Sequence, residues 1–107
     1  MLYTIEEIKG KLAPIFEENG VLRAILFGSY ARGEATEESD IDIVAHVNED
    51  MDILDFAEIS GFIEDLLNKK VDFLYGGDTF SNDMKLEIEK NGVTIFEKVW
   101  FRNFKKD

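Results

Sequence analysis

The chain has 107 residues, 45% of them hydrophobic and 33% charged, with one proline and no cysteine. This composition suits one folded domain and excludes a disordered or collagen-like chain, and the lack of cysteine excludes disulfides and thiolate metal sites. Lys and Arg total 12 against 23 Asp and Glu, a net charge of −11, which repels a phosphate backbone and argues against unaided DNA or RNA binding.

The acidity is uneven. Residues 33–68 carry twelve acids and no Lys or Arg, and only the final stretch, with Lys98, Arg102, Lys105 and Lys106 against Asp107, reverses the sign. Such a surface suits divalent cations or a basic protein partner, although most of these carboxylates read as an ordinary solvated face. The first residues lack the basic and apolar pattern of a signal peptide, and no apolar run approaches the roughly 18 residues of a membrane span. The expectation is a cytoplasmic protein that makes no membrane contact.

The first predicted element is a helix. Thr4 and Glu7 have capping-box spacing, Tyr3 and Ile8 that of a hydrophobic staple, and Ile8, Leu12, Ile15 and Phe16 continue an apolar face. Pro14 cannot donate to the carbonyl of Gly10, which predicts a kink or split, and Asn19-Gly20 ends the helix. Residues 21–27 form an apolar run that reads as a buried strand, followed by Gly28-Ser29 and a short helix over 30–34.

Residues 39–47 alternate, with Ile41, Ile43, Ala45 and Val47 on one side and Asp40, Asp42, Val44 and His46 on the other. Asn48-Glu49-Asp50 is expected to cap a helix over about 51–68, with Ile53, Phe56, Ile63, Leu66 and Leu67 as its buried stripe and Ser60-Gly61 as a weak middle. A third strand is predicted over 71–75, closed by Gly76-Gly77. Residues 80–90 fit a helix, although Met84, Leu86 and Ile88 also fit a period of two. Residues 93–97 read as a last strand. Val99, Trp100, Phe101 and Phe104 then make an aromatic tail that either covers the sheet or offers an edge to a partner. The order implies an α/β (α+β) domain, a small sheet with helices packed on it. The short connection between the first two strands predicts an antiparallel pair and hence a mixed sheet.

Three features carry chemistry. Gly28-Ser29 follows a strand and opens a helix, where backbone N–H groups and a hydroxyl can hold a phosphate; an ordinary turn is the plainer explanation. Asp40 and Asp42 project from one strand face, where two carboxylates repel each other unless a hard cation such as magnesium sits between them; a solvent-facing strand explains them equally well. Asp72 stands among apolar neighbours, which is costly unless it is paired, bound to a metal or turned to water.

The stretch Leu26-Phe27-Gly28-Ser29-Tyr30-Ala31-Arg32-Gly33-Glu34-Ala35, followed by Ser39-Asp40-Ile41-Asp42-Ile43, resembles the signature of minimal nucleotidyltransferases of the DNA polymerase beta superfamily. The resemblance covers nearly the whole chain, is strongest over residues 27–43 and weakens after Gly77. It implies one nucleotidyltransferase domain over 1–107 with a polymerase-beta-like fold. Among short members it is closest in kind to the MntA-type antitoxins, which transfer AMP from ATP to a tyrosine of a HEPN-domain ribonuclease toxin. It therefore implies two Mg2+ ions held by Asp40, Asp42 and Asp72 as metal ligands and catalytic acids, with Gly28 and Ser29 gripping the β- and γ-phosphates of ATP. It further implies a HEPN-domain toxin as partner, with a hetero-oligomer as the resulting assembly. Arg32, one turn after Ser29, either touches a phosphate or pairs with Glu34 or Asp40. The competing readings are a non-catalytic antitoxin that masks a basic partner, and a nucleotidyltransferase acting on a small molecule or RNA.

Overall fold

A computed structural model describes residues 2–76 and 80–104, with the side chain of Phe104 excepted. Gly77, Asp78, Lys105, Lys106 and Asp107 lie outside the described residues. Helix α1 spans Ile5–Glu18. Its capping box forms as the sequence predicts: Thr4 Oγ1 accepts from the Glu7 amide at 3.0 Å, and the Glu7 carboxylate accepts from the Thr4 amide at 2.8 Å. Ile8, Leu12 and Phe16 are fully buried, one per turn. The predicted kink or split at Pro14 is corrected, because the helix runs unbroken through it. Gly10 and Pro14 both face solvent, so water can satisfy the carbonyl that loses its donor, and the buried stripe holds the helix together. Asn19 caps its end, donating from Nδ2 to the Ile15 carbonyl at 2.7 Å.

Strand β1 (Val21–Phe27) leads directly into the short helix α2 (Gly28–Arg32), and β2 (Ile41–Val47) returns antiparallel to β1. Helix α3 (Ile53–Leu67) then crosses over to β3 (Val71–Tyr75), which pairs parallel with β2. Helix α4 (Asn82–Asn91) leads to β4 (Val93–Glu97), antiparallel to β1 on its other side. The sheet order is β3-β2-β1-β4, the mixed sheet that the sequence predicts. A short helix α5 (Val99–Phe104), absent from the predicted elements, closes the described chain. Among the described residues no helix is long and apolar enough to cross a membrane.

Helix α3 departs from its predicted form in three ways. It starts at Ile53, because Asp52 rather than the Asn48–Asp50 stretch is the cap; Asp52 Oδ1 accepts from the Asp55 amide at 2.9 Å. It passes through Ser60-Gly61 without a break. Its buried stripe is Ile59, Ile63 and Leu67, with Phe56 half-buried, whereas Ile53 and Leu66 are exposed. A spacing of four keeps residues on one face, and Leu66, one residue off, is turned about 100° away from it. Gly61 lies on the solvent side with open space around it, so its conformational cost of about 1 kcal/mol is spread against a stripe it does not interrupt.

The two sheet faces differ. Helices α1 and α3 cover one, burying Ala24, Leu26, Ile41, Ile43, Ala45, Val71 and Phe73 in the main core. The other is covered only in part: Ile25, Phe27 and Val44 are roofed by Phe80, Met84 and Ile88, of which the last two belong to α4. Gly92 permits that close approach, since a Cβ there would come within 2.8 Å of the Ile25 side chain. The predicted acids lie on this second, partly open face.

Tyr3 ties the start of the chain to the end of α3, its hydroxyl donating to the buried Leu67 carbonyl at 2.6 Å. Tyr3→Phe leaves that carbonyl without its donor. The expected loss is about 1–2 kcal/mol, read as a lower urea midpoint with an unchanged denaturant slope.

Candidate active site

Register builds this site. Asp42 is the second residue of β2 and Asp72 the second of β3, and the parallel ladder sets them directly opposite each other, so both project from the same face. On its other side Asp42 is paired with Phe27, the last residue of β1. The chain turns there into α2 through Gly28, at φ +73°. A Cβ on Gly28 would overlap the Oδ2 of Asp42, so this glycine is required by both its backbone conformation and the approach of a carboxylate. Ser29 follows in the first turn of α2, with its carbonyl accepting from the Glu34 amide at 2.9 Å. Asp40 stands just before β2, where the Lys70 ammonium approaches it at 3.8 Å. Folding thus brings Gly28, Asp42 and Asp72 together at one end of the sheet, with Ser29 and Asp40 adjacent in the chain.

Electrostatics mark the same point. Partial burial, a hydrogen bond with Asp72, the Asp72 charge and the Asp40 charge push the Asp42 carboxyl up to about 6, with Arg32 opposing the rise. Among the described residues no three acidic or histidine side chains already converge as a closed cation cage. The donor set nevertheless fits a hard divalent cation: Asp40, Asp42 and Asp72 offer carboxylate oxygens only, and their mutual repulsion is the imbalance that a cation relieves.

Arg32 pairs with an acid, as one of its two predicted readings has it, but the partners are Glu34 and Glu87 rather than Asp40. Its Nε donates to Glu34 at 3.0 Å and its Nη1 to Glu87 at 2.8 Å. The Asn91 amide holds the second Glu87 oxygen at 2.8 Å; that hydrogen bond, together with Arg32 and the Lys90 charge, holds the Glu87 carboxyl below its usual range. Glu87 and Asn91 escaped the sequence reading. Their i, i+4 spacing on one helix face was the available signal, but nothing in it points to Arg32, 55 residues away.

His46 shares the strand face with Asp42 but lies four residues along it, roughly 13 Å away. It packs beside Gly76, with its ring 6.0 Å from that of Phe101, and so is a packed strand residue away from the acids. The larger hollows, of about 560 and 780 Å3, also open at the His46 end and include none of the three acids. The three acids are half-buried, away from those hollows.

The raised Asp42 value has a pH consequence. The unfolded carboxyl ionises near 3.8 and the folded one at about 6, so the stability tied to its proton is fully present below about pH 4 and is lost as pH rises through 6. Asp42→Asn keeps a hydrogen-bonding group and removes the charge. With divalent ions chelated, the variant should be more stable than the parent at pH 7.5 by about 1–2 kcal/mol, a figure reduced for the carboxyl's partial exposure to solvent. The gain should vanish at pH 4; thermal unfolding at both pH values measures it, and an equal gain at both contradicts the electrostatic account.

Comparison with known proteins shows the family and the fold. Residues 10–99 match the family described as polymerase beta, nucleotidyltransferase. A Methanocaldococcus jannaschii protein that carries the provisional name protein adenylyltransferase is 41% identical over 96 residues, covering 86% of this chain and 98% of its own. The protein adenylyltransferase MntA of Thermococcus cleftensis is 39% identical over 77 residues, covering 68% of this chain and 78% of its own. Among solved structures, that of a tri-AMPylated Shewanella oneidensis HEPN toxin in complex with an MNT antitoxin superposes with a TM-score of 0.67 at 17% identity, over 94% of this chain and 79% of that one. At that identity the likeness concerns the fold alone. With 98% of the best-covered relative's length matched and the family's match running from α1 to the start of α5, this chain belongs to the polymerase beta nucleotidyltransferase family.

Proposed function

We propose that the protein transfers AMP from ATP to a tyrosine hydroxyl of a HEPN-domain protein and thereby acts as its antitoxin. The single observation that carries this reading is the in-register placement of Asp42 beside Asp72, directly against Gly28 at the entrance to α2. The names of the relatives support the transfer, and the toxin–antitoxin complex with the same fold supports the choice of partner.

Each residue then has a distinct task. The Gly28 amide and the Ser29 hydroxyl bind the β- and γ-phosphates and orient the α-phosphorus for in-line attack. Asp40, Asp42 and Asp72 would hold two magnesium ions, which offset the triphosphate charge and acidify the attacking hydroxyl. Asp72 takes the proton of the tyrosine, whose ordinary pKa is about 10. The tyrosine oxygen bonds to the α-phosphorus, the bond from that phosphorus to the bridging oxygen breaks, and pyrophosphate leaves with the electron pair. Arg32, held by Glu34 and Glu87 and close enough for its charge to act on Asp42, lends positive charge near the departing group.

Incubation with ATP, magnesium and a HEPN-domain acceptor, followed by intact-mass measurement, should show AMP added to the acceptor. Asp72→Asn should slow that addition on the order of 10²–10⁴-fold, and Asp40→Asn should abolish it with the fold retained. A toxin still silenced by the Asp40 variant would instead support masking without chemistry. Transfer to a small molecule or RNA, with none to protein, would support the third reading.

A further inference from the structure

A second surface lies at the opposite end of the sheet from the acids. Asp42 and Asp72 open β2 and β3, whereas Val47 and Tyr75 close them. Beyond those closing residues a hollow of about 780 Å3 is lined by Leu22, Val47, Tyr75 and Trp100 and bordered by Glu49 and Asp50. A second hollow of about 340 Å3, lined by Met51, Asp52, Ile53 and Phe56, shares Tyr75 with it. Tyr75 is 55% exposed, Trp100 56% and Ile53 82%. Large apolar side chains left this open, side by side, mark a contact surface rather than scattered exposure.

Charge selects the occupant. Among the described residues, no Lys or Arg lines either hollow. Nearby Lys98 is turned away, its ammonium 3.4 Å from Glu17 on α1. The rim of Glu49, Asp50 and Asp52 belongs to the segment 33–68 that has no Lys or Arg. Such a rim repels nucleic acid, anionic lipid and a second copy of a chain with net charge −11, and it attracts a cationic segment.

We propose that this double hollow docks a basic, apolar-faced segment of the protein acceptor, with apolar side chains entering beside Tyr75 and Trp100 and Lys or Arg meeting the acidic rim. This deepens the reading above by naming where the acceptor is held. Because the hollow is at the far end of β2 and β3, a docked segment leaves the acids open to ATP and to the acceptor hydroxyl.

Trp100 is the only tryptophan in the chain, so its fluorescence reports the hollow directly without ATP or metal. The probe is a helical Leu/Lys amphipathic peptide of roughly 18 residues, with a Leu/Glu twin as control. Trp100 emission should shift to the blue with the Lys peptide only, and the affinity should fall as salt rises. Tyr75→Ser, or Glu49→Lys with Asp50→Lys, should weaken binding at least ~10-fold, a difference of about 1.4 kcal/mol. Glu6→Lys with Glu38→Lys changes the net charge equally on other surfaces and should weaken it less than ~3-fold. Equal loss from both charge reversals, equal binding of the two peptides, or no shift would overturn the proposal. So would concentration-dependent dimerisation that shifts Trp100 without peptide, or an equal shift with phosphatidylcholine vesicles. AMP transfer is not part of this readout, so a negative result leaves the adenylyltransferase reading standing. Peptide binding without any AMP transfer would count against that reading alone.

Discussion

The arrangement depends on one electrostatic conflict, the parallel register that sets Asp42 opposite Asp72. Partial burial first, then the hydrogen bond and charge of Asp72 and the charge of Asp40, push the Asp42 carboxyl up to about 6, so its ionisation opposes folding at neutral pH. The register survives because the inward-facing residues of the same strands demand it. Ile41 and Ile43 pair with Val71 and Phe73 in the buried layer, and slipping one residue would carry that apolar set to the open face. Core packing holds the acids together, and the site inherits its geometry from the opposite side of the sheet.

The partly covered face divides along the strands. At the β1 exit, Gly28 allows Asp42 to touch the chain where it enters α2. In the middle, Val44, Ile25 and Phe27 are roofed by α4 and Phe80, a dry block. At the far end, His46 and Gly76 line the hollow that reaches around to Tyr75 and Trp100. The acids and the apolar hollow are thus separated by about one strand length, so that in the proposed reading a protein acceptor is held at one end and modified at the other. Arg32 links the first region to the roof, because its pairing with Glu87 ties α2 to α4 across the face.

Local patterns were legible where local physics governs. The capping box at Thr4 and Glu7 needs only neighbouring atoms, and it formed. Strict alternation in β2 told which side chains face the main core, and burial follows it except at Val44, which Phe80 and α4 roof on the other face. Helix α3 was harder. Asp52 and the Asn48–Asp50 stretch are all competent caps, and the choice between them falls to the turn in which the Met51 amide donates to the Asn48 carbonyl at 3.1 Å. Pro14 and Gly61 read as breaks because sequence alone does not show that both face solvent on helices anchored by buried stripes. Helix α5 went unread because aromatic residues at its spacing suit a helix and a covering strand equally.

By itself the sequence determined the acidic balance, the alternation that separates acids from core in β2, the glycine–serine turn after β1 and the family resemblance those residues carry. All of these are properties of neighbours along the chain. Only the tertiary structure decided that Asp72 stands level with Asp42, that Arg32 is claimed by Glu87 rather than Asp40, and that Tyr75, Ile53 and Trp100 share one open surface. These are contacts between residues far apart in sequence. Their geometry is set by strand register and helix docking, which follow from how the whole apolar core packs rather than from any local pattern.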